Sequence, residues 1–398
     1  MSDPDFGGLR TAVEDAAVPV PFLTLRDRAA RRRRRWLGSA AAGTAAVVVL
    51  AVLALPRPGP APEPALEPTP PPAPPAGQLI DTAFGRTTAY ALLGSCEPAG
   101  TGCRYELLSS GDEGRSWTRL RSPVPPPAPD DGFSAELLVT GDDDLTVRDA
   151  AGDRVHTSTD RGRTFTARAL RPGPALDAVP PGLRVEQTWC GGDPCGPSRL
   201  VVLDPATGRQ SPLRAQPLPR STLIDVATGD DGRIWVAGPD GDRVVSAVSR
   251  DRGRTWRQLP ALTGPPVVLL HLVPLPGADA GAYLLTGRRD RSDTVLNVFS
   301  DLWRLDGAGW TRVTPRGAPR SALTAVGLSD GELLLTTEEG GTWRTSGRGT
   351  RIARDPAGGA LAVLRRSGPL LVGWTGAGEL LVSADDGRSW EPRPVVVR

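Results

Sequence analysis

An eight-residue pattern, S-x-D-x-G-x-[ST]-[WF], occurs four times in this chain of 398 residues. The copies are Ser110–Trp117 (S-G-D-E-G-R-S-W), Ser158–Phe165 (S-T-D-R-G-R-T-F), Ser249–Trp256 (S-R-D-R-G-R-T-W) and Ser383–Trp390 (S-A-D-D-G-R-S-W). Each residue type has a physical task. Asp112, Asp160, Asp251 and Asp385 can bond the backbone two residues on and form Asx turns, while Gly114, Gly162, Gly253 and Gly387 supply a positive φ. The hydroxyls of Ser110, Ser158, Ser249 and Ser383 can close the same turn. Trp117, Phe165, Trp256 and Trp390 open the next strand as large apolar anchors. The pattern reads as a lock on a hairpin, a signal of fold rather than of chemistry.

Spacing points the same way. The copies start at 110, 158, 249 and 383, so the first interval is 48 residues and the second, at 91, is close to twice that. A period in the forties suits a four-stranded antiparallel blade. With 47 Gly, 42 Pro and ten Trp, the composition fits many short strands and turns.

The motif resembles the Asp-box, or bacterial neuraminidase repeat, of sialidase-like and sortilin-like β-propellers, and all four copies match it at every defining position. The resemblance implies four-stranded blades with the box between the third and fourth strands. It does not imply sialidase activity, because the box lies away from that family's active site, and function belongs to sites rather than folds.

From residue 78 onward the chain divides into seven blades: 78–122, 132–170, about 182–216, 221–260, 266–314, 320–355 and 358–398. The expected fold class is therefore all-β, a seven-bladed propeller. Blade 3 carries only a degenerate turn, Asp204–Gly208, where its box should fall, and blade 5 ends in another, Asp306–Gly309. In blade 6, Thr336–Trp343 (T-T-E-E-G-G-T-W) imitates a box. Alignment on blade 7 instead puts it between strands two and three, which makes Ser346–Gly349 the third turn.

The segment before the propeller is of another kind. Residues 1–35 form an Arg-rich tail ending in Arg31–Arg35. Trp36–Leu55 is twenty residues without a charge, and at ~1.5 Å per residue it spans roughly 30 Å, one hydrocarbon core. The arginines on its N-terminal flank place the tail in the cytoplasm and the remainder outside. A cleaved signal peptide competes with this reading, against a 35-residue leading region and the lack of a clean A-x-A site. Residues 56–77 hold eleven prolines in 22 positions, an extended stalk of up to about 70 Å. The expected location is a cell membrane crossed once, with the domain 78–398 extracytoplasmic.

Four cysteines fall into two close pairs. Outside the cytoplasm, local spacing favours the disulfides Cys96–Cys103 and Cys190–Cys195. Zinc is the alternative, but the gaps are not C-x₂-C and two blades separate the pairs. Both pairs are expected in loops between second and third strands. Strand parity places those loops on the face opposite the boxes, together with Gly287–Asp293 and the Pro-rich connections Pro123–Asp130 and Arg171–Pro181. Loops on a rigid scaffold are where binding usually resides.

A sialidase-like exo-glycosidase would need an Arg triad, a Tyr nucleophile with a Glu partner, and an acid Asp. The family's R-I-P motif is absent, and the three tyrosines, Tyr90, Tyr105 and Tyr283, fall in predicted strands. His156 and His271 stand apart from any nucleophile pattern. The net charge is +2 with all 47 basic residues Arg, interspersed with acids, which gives no case for nucleic acid. The sequence therefore predicts no catalytic, cofactor or metal site. It predicts a membrane-tethered module that binds a protein, peptide or cell-wall glycan. The alternatives are the glycosidase and a single-pass sensor acting through the tail.

Overall fold

A computed structural model describes residues 77–395 apart from internal segments, the longest being 97–101, 128–132, 188–197 and 289–297. The tail, the apolar stretch Trp36–Leu55 and nearly all of the Pro-rich segment lie outside the described residues. Among the described residues, no helix is long and apolar enough to cross a membrane.

The described chain forms a seven-bladed β-propeller of four-stranded sheets. Blade 1 holds β1 (Gln78–Phe84), β2 (Ala89–Ser95), β3 (Arg104–Ser110) and β4 (Thr118–Leu120). Blade 2 holds β5 (Glu136–Val139), β6 (Leu145–Arg148), β7 (Arg154–Ser158) and β8 (Thr166–Ala169). Blade 3 combines β9 (Arg171–Pro172), β10 (Arg184–Gln187), β11 (Leu200–Asp204) and β12 (Arg209–Pro212). Blade 4 holds β13 (Asp225–Thr228), β14 (Ile234–Asp240), β15 (Arg243–Ser249) and β16 (Arg257–Thr263). Blade 5 holds β17 (Val268–Pro274), β18 (Ala282–Arg288), β19 (Val298–Asp306) and β20 (Gly309–Val313). Blade 6 holds β21 (Thr324–Gly327), β22 (Leu333–Thr336), β23 (Thr342–Ser346) and β24 (Arg351–Asp355). Blade 7 holds β25 (Leu361–Ser367), β26 (Leu370–Thr375), β27 (Leu380–Ser383) and β28 (Glu391–Arg393).

Apolar residues are buried between blades, so each seam has its own core. Tyr90, Leu92 and Leu107 meet Leu137 and Leu145 between blades 1 and 2. Trp235, Val244 and Leu259 meet Leu272 and Leu284 between blades 4 and 5. Trp117 and Leu93 meet Val372, Trp374 and Leu380 where blade 7 closes on blade 1. That closure exchanges no strand, since the sheet of each terminal blade is contiguous in sequence. It rests on packing, on Arg365 Nη1 reaching Asp81 Oδ1 at 2.6 Å, and on Ser367 Oγ donating to Phe84 O at 2.7 Å.

Blade 3 corrects three expectations. Its sheet runs β10-β11-β12-β9, and β9 pairs parallel to β12. The fourth strand thus precedes the other three in sequence and comes from the Arg171–Pro181 segment, expected to be a plain connection. The turn Asp204–Gly208 consequently joins the second and third strands, not the third and fourth. The segment holding Cys190 and Cys195 joins β10 to β11, not the second and third strands, and both cysteines lie outside the described residues. The physical reason is local. After β12 the chain leaves directly for blade 4, which leaves the outer edge to a neighbour from upstream.

Blade 6 follows the alignment on blade 7: Thr337–Gly341 links its second and third strands, and Ser346–Thr350 links its third and fourth.

Candidate functional site

The four repeated turns share one hydrogen-bond set. The serine Oγ accepts from the glycine N–H at 2.7–2.8 Å and from the aspartate N–H at 3.3 Å, and it donates to the aspartate Oδ1 at 2.7–2.8 Å. The same Oδ1 accepts from the following Ser or Thr N–H at 2.8–2.9 Å, and Oδ2 accepts from its hydroxyl at 2.6–2.7 Å. Bonds to the ionised form favour it. They hold Asp160 and Asp251 at about 2, chiefly through Thr164 and Thr255, and Asp385 at about 2, chiefly through Ser389. Ser116 and Ser110 hold Asp112 lower still.

Glycine is not the sole left-handed residue in these turns. Glu113, Arg161, Arg252 and Asp386, one position earlier, take φ of 57–63°. Such non-glycine residues cost on the order of 1 kcal/mol each, which the bonded turn sustains. The strain has a use: three of these four peptides reach another blade. Glu113 O accepts from Arg393 Nε at 3.3 Å, Arg252 O from Val179 N at 2.8 Å, and Asp386 O from Arg344 Nη2 at 2.8 Å. A Cβ on Gly162, Gly253 or Gly387 would lie 2.7, 2.9 or 3.0 Å from a leucine of the blade before it or its exit strand: Leu120, Leu213 or Leu334. Each box is therefore a clamp on the preceding blade as well as a hairpin lock. Sequence reasoning found the lock and missed the clamp, because the partner residues are far away in sequence.

Blades without a box use other means. In blade 6 the carboxylate comes from Glu332, which accepts from Arg348 N at 2.9 Å and Thr345 Oγ1 at 2.6 Å. In blade 5, Trp310 Nε1 donates to Ser246 Oγ of blade 4 at 3.0 Å.

The innermost strands carry a second device. Asp81 on β1 accepts from Leu137 N of blade 2 at 2.8 Å, and Asp225 on β13 accepts from Leu272 N of blade 5 at 2.6 Å. Burial raises both carboxyls above the usual range, opposed at Asp81 mainly by the Arg365 charge and at Asp225 mainly by the Leu272 N–H. Burial also lowers His271, against the pull of Asp225. The signal was present in the sequence as Leu-Ile-Asp at 79–81 and again at 223–225.

The tyrosines singled out in the sequence, Tyr90, Tyr105 and Tyr283, are buried within the blades. Tyr283 donates to Gly331 O at 3.1 Å, and burial pushes its hydroxyl up to about 12. His156 is buried on β7. Among the described residues, no group of three or more Cys, His, Asp or Glu side chains is placed to hold a metal.

The face opposite the boxes is built differently. Cys96 and Cys103 form a disulfide across the turn between β2 and β3, at the far end of β3 from the box at Ser110. In blade 5 the charged segment occupies the equivalent turn. Its Gly287 and Arg288 belong to β18, and residues 289–293 lie outside the described residues.

No family model matches the chain, and no curated protein matches it. Solved structures of similar fold include YCF48 bound to D1 peptide, at 14% identity over 79% of this chain and 82% of that one, with a TM-score of 0.32. The Dos1 propeller is similar at 13% identity over 79% and 82%, with a TM-score of 0.46. The GH74 xyloglucanase of Xanthomonas campestris is similar at 17% identity and a TM-score of 0.44, over 80% of this chain but 55% of the enzyme.

Proposed function

We propose that the chain is an Asp-box propeller that serves as a membrane-tethered, extracytoplasmic binding or scaffold module. The carrying observation is a division of labour along the strands. At one end the hydroxyls and carboxylates of the four boxes are committed to one another, and three of the turns bond a neighbouring blade through a backbone carbonyl. At the other end the turns vary in length, with two residues between β14 and β15 and eight between β2 and β3, and the long one in blade 1 is stapled by Cys96–Cys103. A rigid ring with loops at one rim suits recognition of a protein, peptide or glycan. The sequence supports the tether through Trp36–Leu55, its arginine flank and the Pro-rich stalk, and the disulfide is in keeping with an oxidising compartment. The sialidase-like alternative finds no support in the tyrosines, since all three are buried in the blades.

The test is site-specific photocrosslinking of the full chain in intact membranes. The crosslinker replaces exposed Arg104 beside the disulfide or, as a control, exposed Arg163 in the blade 2 box. A discrete adduct from position 104 and none from 163 supports the reading. Adducts from 163 alone, or equally from both positions, would sink it.

A further inference from the structure

Blade 3 is the one blade whose outer strand comes from upstream, and the rearrangement leaves a cleft. Two straps run side by side at its rim. Gly173 N bonds Gln210 O, Leu176 N bonds Pro212 O, and Arg214 N bonds Leu176 O, at 2.8–2.9 Å. Between these straps and Ser198–Arg199 lies an open cavity of about 540 Å³, within the roughly 300–1,000 Å³ of small-molecule sites.

Its walls are of two kinds. Ala175, Pro212, Leu213 and Pro219 are apolar. Gln216 is a fixed polar wall, because its Oε1 accepts from Leu200 N at 2.8 Å while its Nε2 donates to Leu200 O at 3.0 Å and Leu213 O at 2.6 Å. Among the described residues, the charged members of the lining are Arg199 and Arg214, and none is a carboxylate. Arg214 bonds Asp177 at 2.7 Å, but the two side chains are 69% and 75% exposed. A pair so exposed is worth little and is readily exchanged for a ligand anion.

We infer that this cleft binds a small organic anion, a carboxylate carried on an apolar body. The apolar part packs on Leu213 and the prolines, and the carboxylate meets the guanidinium groups of Arg199 and Arg214, whose fork geometry suits that partner. The site takes Ala175 and Asp177 from the Arg171–Pro181 segment but uses neither the Cys96–Cys103 turn nor Gly287–Asp293, so crosslinking at Arg104 and labelling of this cleft are separate tests.

The probe is 4-phenylbutyrate bearing a diazirine on its ring, photolysed with the full chain in its membrane and mapped by peptide mass spectrometry. Labelling is expected on peptides covering Ala175–Asp177 and Pro212–Pro219, competed away by unmodified 4-phenylbutyrate. The matching neutral amide should label at least fivefold less. Arg199→Ala with Arg214→Ala should lower labelling about tenfold or more, whereas Arg220→Ala, at an exposed arginine outside the lining, should leave it unchanged. Labelling spread over the surface, equal labelling by the amide, or indifference to the double variant would each overturn the proposal.

Discussion

The seam between blades 3 and 4 and the seam between blades 2 and 3 are built from the same strand type and closed in different ways. Blade 4 has a box, and its clamp holds blade 3 through Arg252 O, the packing of Gly253 on Leu213, and Trp256 Nε1 donating to Ala215 O at 3.2 Å. Behind the clamp lies a broad core including Val185, Leu200, Val202, Leu218, Val236 and Ala247. Blade 3 has no box with which to hold blade 2. Among the described residues that seam buries Leu138, Val155 and Leu203, with Leu170 partly buried, and gains the ion pair of Arg148 with Glu186. Blades 5 and 6 also lack boxes but close on cores as broad as that of the boxed seam, so the seam between blades 2 and 3, with neither a box nor a broad core, is the weak place in the ring.

The largest expected effect breaks the strong seam. Gly253→Ala imposes a side chain at φ +87°, 2.9 Å from Leu213 Cδ1. It should cost about 3 kcal/mol in denaturant unfolding, strain and overpacking together. Gly182→Ala has a similar φ of +78° with nothing within 4 Å, and should cost only about 1 kcal/mol. The difference isolates the clamp, and equal costs would show that turn conformation alone matters. Next comes Ser249→Ala, which leaves the N–H groups of Asp251 and Gly253 without their acceptor. A loss of about 1–3 kcal/mol is expected, against less than about 0.5 kcal/mol for Thr207→Ala in the exposed blade 3 turn. Tyr283→Phe removes a single bond to Gly331 O, and about 1 kcal/mol of stability should go with it.

Acid provides a further way to sharpen the comparison. Asp160, Asp251 and Asp385 sit at about 2 in the folded chain against 3.8 unperturbed. Their contribution is therefore present above pH ~4 and lost as pH falls towards 2. Asp81 and Asp225 are raised instead, so their linkage has the opposite sign and opposes folding as pH climbs past the carboxylate range. Midpoints of urea unfolding measured between pH 5 and 2 should fall, and the fall should flatten when the four box aspartates are changed to Asn. An unchanged slope would remove the boxes from the account of acid stability.

What could be read in advance follows from how local each signal is. The boxes lie within eight residues of sequence, so their turns were legible, and strand periodicity between them gave the seven blades. Strand β9 is two residues long and contains Pro172, too short for any pattern, and it pairs parallel to a strand almost forty positions later. Glu332 serves a turn sixteen residues on, where no box spacing could reveal it. The cleft of blade 3 was invisible for the same reason, since its two straps meet only in the fold.

The central claim is that a box holds the blade before it as well as its own hairpin. Hydrogen exchange on Ser249→Ala, read by mass spectrometry on the full chain, tests this most directly. The account predicts faster exchange in residues 249–257 and also in 176–183 of blade 3, where Val179 N donates to Arg252 O. Faster exchange confined to 249–257, with 176–183 unchanged, would contradict it.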